Sequence, residues 1–433
     1  MYIRFYNSLV LSMEDNDKGE LMPPFKGEVW VKDERIVNVI HSDNTDSLPD
    51  SRPCFDREID LHGNLIMPGF KNAHTHSPMT FLRSMADDLP LNDWLNNIIF
   101  PMESRLTPED VYYFTKIAVM EYLSSGVTSV FDMYFYQDHV VRAFTDCGMR
   151  AVLCSPLNNF TENPQIMADN YIKFNNYNPL ISYQLGFHAQ YTTSNEYLIE
   201  TARIASHYKA PVYCHNSETK SEVMQCIDAN NVTPTRLMED MGLFEYGGGG
   251  FHCNYLNEDD ISIFKNRGLS IVSNPASNAK LASGICPLKK YYDVGINIAL
   301  GTDGPASNNA LDMFREMYLA AVLAKLKTKD ACAIDATKIL KMATINGAKA
   351  MNLTDLDYIK EGQIADLTVI NLGLPNMQPI TNITKSLVYC AGKNNVYLTM
   401  INGKILYENG QFYLDETPEQ IYKMAEKSMK NII

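Results

Sequence analysis

Residues 64–76 read NLIMPGFKNAHTH. An apolar run without alternation leads directly into two histidines spaced two apart. A strand with one wet face alternates apolar and polar residues, whereas a strand that is apolar throughout is covered on both faces, as in a parallel sheet flanked by helices. Seven more segments of this kind follow: VTSVFDM from Val127, MRAVLC from Met149, ISYQLGF from Ile181, APVYCH from Ala210, GGFHCNYL from Gly249, LSIVSN from Leu269 and INIALGT from Ile296. Helical segments separate them. In TPEDVYYFTKIAVMEYLSSG, Thr107 is placed to cap, Pro108 fits the first turn and Gly126 ends the segment. Eight strand–helix units predict an α/β fold, a (β/α)8 TIM-like barrel over residues 66–354. Gly247 to Gly250 read as a flexible turn before the sixth strand, since neither GKS nor GKT nor a helix follows them.

The two ends have a different texture. EVWVKDERIVNVI, after Gly27, is two short apolar segments about a charged turn, and VYLTMINGKILYENGQFYL from Val396 places Asn402-Gly403 and Asn409-Gly410 between alternating strands. Asn-Gly is a strong hairpin signal. Neither end has the residues for its own core, so 1–65 and 355–433 are expected to pair as one small composite β-sandwich.

Composition narrows the partners. The chain has 433 residues, with 37 basic and 51 acidic side chains and a net charge of −14. Such a surface repels phosphate backbones and anionic membranes, so neither nucleic acid nor a membrane is an expected partner. The N-terminus carries charges where a signal peptide has an apolar core. Nine cysteines are widely scattered, with no CxxC pair, which speaks against a disulfide framework or a thiolate zinc site and for a reducing, cytoplasmic location. A homo-oligomer stays open.

In a barrel of this type the chemistry gathers at the C-terminal ends of the strands. His74 and His76, as residues i and i+2, project to the same side, and two imidazoles there suit one metal ion or an ordinary turn. Strand five ends in His215, strand six in His252, and strand eight leads to Asp303. Singly, each of these histidines reads first as a hydrogen-bonded core residue, and Asp303-Gly304 as an ordinary turn. Together, four imidazoles and a carboxylate at one end of a barrel amount to a first-row metal site with an open coordination position. His41, His62, His139 and His207 read as ordinary, and neither HExxH nor the HxE with PCxxC of nucleobase deaminases occurs.

The motifs PGFKNAHTH, HNSE, FHC, SNPASNAKL and GTDGPASNN, with MTFLRSMADDLPLNDWL and KEGQIADLTVI, resemble the amidohydrolase superfamily. They resemble specifically its deaminases of 5′-methylthioadenosine and S-adenosylhomocysteine, over essentially the whole chain. The resemblance implies a metal-dependent aminohydrolase with His74, His76, His215 and Asp303 as ligands of one Zn2+, a set that equally suits Fe2+ or Mn2+. Two-metal relatives carry a modified lysine at the end of strand four, and LGFHAQ here has none. The same resemblance makes Glu218 the acid that protonates the ring nitrogen, Asp303 the acceptor of the water proton and His252 the stabiliser of developing charge. It assigns Glu103 to the ribose hydroxyls, His188 to the purine, Ser307 to the outer pocket, and Trp94 to an apolar wall or simple core packing.

One departure bears on the substrate. Relatives that deaminate S-adenosylhomocysteine hold its carboxylate with arginines, whereas no arginine occurs from Ala151 to Ala202 and Ser155 stands where one is expected. A small-molecule nucleoside lacking that carboxylate, 5′-methylthioadenosine or adenosine, is therefore the expected substrate, unless Lys173 supplies the charge from the loop. The alternatives are another ring (guanine, pterin or triazine) at the same metal site, and a non-catalytic scaffold.

Overall fold

The computed structural model describes residues 1–43, 53–85 and 87–432. Eight strands form one sheet in chain order: Phe70–Thr75, Val127–Met133, Arg150–Cys154, Ile181–Ala189, Val212–Asn216, Gly248–His252, Ser270–Ser273 and Asn297–Leu300. Each pairs in parallel with the next. Beyond the last strand, the Asp303 N–H donates to His74 O at 3.0 Å and the Thr302 N–H to Asn72 Oδ1 at 2.8 Å, which brings the sheet nearly to closure as a barrel.

Burial explains the missing alternation. Ala73, Phe131, Val152, Tyr213, Phe251, Val272 and Ala299 form one apolar cluster on one face of the strands. Residues on the other face, such as Val130, Leu153, Leu185 and Ile271, join a larger cluster with the covering helices. The helix Pro108–Ser124 starts as its sequence demands: Thr107 Oγ1 accepts from the Asp110 N–H at 3.3 Å and Asp110 Oδ2 accepts from the Thr107 N–H at 2.9 Å.

Two local expectations are corrected. The run NLIMPGF is not one strand: Leu65–Pro68 lies in the sheet built by the chain ends, and the first barrel strand begins at Phe70. The glycines from Gly248 are not a turn but the start of the sixth strand. Gly248 has φ +119°, and a Cβ there would lie 1.9 Å from Val212 O on the neighbouring strand. Gly248→Ala is expected to destabilise the fold by at least ~2 kcal/mol through backbone strain and overpacking, read as a lower urea midpoint. An unchanged midpoint would mean that the strands have room to part.

The ends combine in a mainly antiparallel nine-stranded sheet. Leu65–Pro68 pairs with Tyr2–Val10 on one side and Leu367–Ile370 on the other, joining the two termini. Both Asn-Gly pairs turn hairpins with positive φ at both residues, 52° and 72° at Asn402-Gly403 and 47° and 84° at Asn409-Gly410. A buried Arg150–Asp366 pair, 2.6 Å at Nε, ties the barrel to this sheet. Among the described residues no helix is long and apolar enough to cross a membrane, and all nine cysteines are unpaired.

Candidate metal centre and active site

The strand ends converge. Ligand atoms of His74, His215, His252 and Asp303 all lie within 4.8 Å of one another, and all four residues are buried. His76 Nε2 is 3.3 Å from Asp303 Oδ1 and His74 Nε2 is 3.5 Å from the same oxygen. Three of the four residues expected at the metal thus fall in one compact group, which also takes in His252, while the fourth, His76, stands beside it at Asp303. His252 and Asp303 hold positive φ values of 69° and 60°, a conformation disfavoured for side chains with a Cβ, and so turn inward at the strand ends.

Three imidazoles are aimed by their other nitrogen. Nδ1 pairs with Met133 O at 2.5 Å in His76, with His188 O at 2.6 Å in His215, and with Asn278 Oδ1 at 2.7 Å in His252. Such contacts fix ring orientation and leave Nε2 free to bind a cation. His74 lies flat on Phe251, with ring centroids 3.8 Å apart, and both its nitrogens lack a hydrogen-bond partner although it is fully buried. Orphaned buried nitrogens beside a carboxylate fit a metal cation. Burial pushes the His74 imidazole down to about 3, which keeps it in the neutral, ligating form. Burial works to raise Asp303, but the adjacent imidazoles of His74 and His76 outweigh it and hold this carboxyl well below its usual range.

Asp303 is held from several sides: Ser277 Oγ and Ser307 Oγ donate to Oδ2 at 2.6 and 2.8 Å, and the Gly304 N–H donates to Oδ1 at 2.7 Å. Ser307 was expected in the outer pocket; its buried hydroxyl is instead turned onto this carboxylate. Glu218, also buried, accepts from Ser283 Oγ at 2.8 Å, and its other oxygen is 3.9 Å from His252 Nε2. Ser277, Asn278 and Ser283 received no role from sequence reasoning. Two of them lay within SNPASNAKL, a motif that carried the resemblance as a string only.

The remaining expectations fall around this centre. Glu103 ends the short helix Phe100–Glu103 beside the Tyr134 hydroxyl, and burial pushes its carboxyl up to about 7. The His188 ring sits 4.8 Å from that of His215, and its Nδ1 pairs with Thr192 Oγ1 at 3.0 Å. Trp94 is buried in the large apolar cluster. Ser155 Oγ donates to Glu162 Oε2 at 3.2 Å, and burial pushes Glu162 up to about 7. Lys173 is not on a loop: it lies on the helix Pro164–Phe174, exposed and paired with Asp138.

Residues 65–406 match the model of the amidohydrolase family. The chain belongs to that family. It is 39% identical over 87% of its length to a 5-methylthioadenosine/S-adenosylhomocysteine deaminase of Thermoanaerobacter pseudethanolicus, covering 89% of that protein. It is 36% identical to a 5'-deoxyadenosine deaminase of Methanothermobacter thermautotrophicus, over 92% of both chains. Among solved structures, an adenosine deaminase from Xanthomonas campestris with bound zinc superposes with a TM-score of 0.90 at 31% identity, over 100% of this chain and 98% of that one. The amidohydrolase barrel and its buried histidine–aspartate centre are thus those of a metal-dependent hydrolytic deaminase.

Proposed function

We propose that this amidohydrolase removes the 6-amino group of an adenosine-type nucleoside with water, giving the 6-oxo product and ammonia. The observation that carries the reading is the placing of Glu218 beside His252, which on its other side approaches Asp303, next to the grouped imidazoles of His74 and His215 and with His76 at Asp303. The names of the relatives support the substrate class. His74, His76, His215 and Asp303 would hold the metal, proposed to be zinc, which when bound lowers the pKa of water from about 15.7 to near 7.

The chain's own groups handle the protons. Glu218, oriented by Ser283, delivers one to the ring nitrogen as the carbon becomes tetrahedral. Asp303 takes one from the attacking water, its two bound hydroxyls keeping the carboxylate in place. His252, between Glu218 and Asp303 at 3.9 and 4.0 Å, faces the developing negative charge. Glu103 binds the ribose hydroxyls and His188 the purine. All these groups belong to the barrel, which begins at Phe70; the sheet built by the two chain ends, with Leu65–Pro68 in it, supports the barrel. The unpaired cysteines fit a reducing, cytoplasmic location.

At the position where an arginine was expected, Ser155 faces a carboxyl, Glu162, rather than a cation. Among the described residues no cation is paired with Ser155 or Glu162, so a substrate carboxylate there lacks the ionic partner that an arginine supplies. With zinc-loaded protein, kcat/KM from ammonia release and the adenine-to-hypoxanthine absorbance shift is expected to rank 5′-methylthioadenosine or adenosine above S-adenosylhomocysteine, and both above guanine and free adenine. S-adenosylhomocysteine clearly first would overturn the ordering, and no nucleoside turnover with metal present would move the substrate to another ring. Glu103→Ala is expected to lose nucleoside turnover far more than free-base turnover; equal losses would contradict the ribose contact.

A further inference from the structure

Behind the centre, the helix Met313–Thr328 buries one carboxyl group, that of Glu316, completely. Among the described residues it forms no ion pair, and burial pushes it up to about 8. An unpaired carboxyl in a protein interior is costly, and an apolar side chain of similar size fills the same space without that cost. What Glu316 has in exchange is two hydrogen bonds to two different strand–helix loops, each of which opens with a short helix. Oε2 accepts from the Ala276 N–H at 3.0 Å, in the helix Pro275–Lys280 of the loop after the seventh barrel strand. Oε1 accepts from Asn308 Nδ2 at 2.7 Å, in the helix Pro305–Asn308 of the loop after the eighth.

The neighbours of these two contact points reach the reacting centre. Ser277, next to Ala276, and Ser307, next to Asn308, are the two residues whose hydroxyls donate to Asp303 Oδ2. Asn278, one step farther, sets the His252 ring. Asn308 Nδ2 also reaches Thr302 O at 2.7 Å, next to Asp303 itself. One carboxyl group therefore joins the loop that presents Ser277 and Asn278 to the loop that presents Asp303 and Ser307, alongside the Ser277–Asp303 bond and a contact of Lys280 Nζ with Ala306 O at 3.3 Å.

We propose that Glu316 is a positioning residue, acting through these two loops on Asp303 and His252 without touching substrate. The inference rests on the deaminase reading for its effect on turnover, but not for its effect on metal retention. Glu316→Gln keeps the volume but sets an amide N–H against a donor, either Ala276 N–H or Asn308 Nδ2. It is expected to speed zinc loss to a chelator and to lower kcat, each by about 10–100-fold, as displaced supports of metal ligands typically do. KM should change by less than about 3-fold, because no substrate contact is removed.

The test measures zinc release, kcat, KM and Tm on the zinc-loaded full chain. A lower Tm with zinc release and kcat at wild-type values, assayed well below that Tm, would reduce Glu316 to a structural role and overturn the proposal. If Glu316→Gln does not fold, Asn308→Ser, which cuts one arm of the link, decides: faster zinc release supports the proposal and an unchanged rate overturns it. If the wild-type protein turns over no nucleoside, the deaminase reading fails, while zinc release still reports on Glu316.

Discussion

Asp303→Asn is expected to lower kcat by about 10³-fold and to reduce the bound zinc well below one equivalent after dialysis. The substitution changes almost nothing in volume, so the effect is chemical. Every group around the carboxylate is a donor or an imidazole: Ser277 and Ser307 hydroxyls on Oδ2, the Gly304 N–H on Oδ1, and His74 and His76 Nε2 at 3.5 and 3.3 Å from Oδ1. Whichever way the amide sits, its NH2 faces a donor and one contact is lost. The negative charge that a cation needs is lost with it, as is the acceptor for the proton of the attacking water. Steady-state kinetics and elemental metal analysis on the same preparation test both parts. A variant that retains more than about a tenth of wild-type kcat with full zinc would remove Asp303 from both roles.

The fold was legible where one physical pattern was uniform along the chain. Parallel strands covered on both faces carry apolar residues without alternation, and seven of the eight runs read in this way fall on barrel strands. The first run failed because it passes from one sheet to another without a loop. Leu65–Pro68 and the residues from Phe70 are buried alike, so hydropathy shows no seam. Gly69 marks the seam physically: a Cβ there would come within 2.1 Å of Thr128. Gly248 to Gly250 misled for the related reason that glycine marks turns and close strand approaches equally, and only the neighbouring Val212 backbone tells them apart.

At the site, the histidines and Asp303 were legible only as a set, because one of them alone reads as a core or turn residue whereas several at the same end of one barrel do not. Ser277, Asn278, Ser283 and Glu316 were not. Serine and asparagine are common in loops, and their contacts with Asp303, His252 and Glu218 exist only because loops far apart in sequence meet. The direction of Ser307 was illegible too, since the tight turn Gly304–Asn309 decides whether its hydroxyl faces outward or back onto Asp303.

Glu218→Gln separates proton transfer from metal binding, which Asp303→Asn cannot do. The backbone at Glu218 is clamped independently of its carboxylate: its N–H donates to Glu222 Oε2 at 2.8 Å and its carbonyl accepts from Asn254 Nδ2 at 2.9 Å. Glutamine therefore occupies the same place and still accepts from Ser283 through its carbonyl oxygen. What it lacks is a carboxylic proton to deliver as the ring nitrogen becomes basic. Loss of a positioned general acid costs about 10²–10⁴-fold, so kcat is expected to fall by that amount while zinc content and Tm stay at wild-type values. Glu218 is absent from the compact group of ligand atoms and stands 3.9 Å from His252 Nε2. If Glu218→Gln loses zinc as Asp303→Asn does, Glu218 supports the metal rather than the substrate. If kcat falls less than about 3-fold with zinc intact, the proton comes from another group, and the assignment of the acid is wrong even though the centre stands.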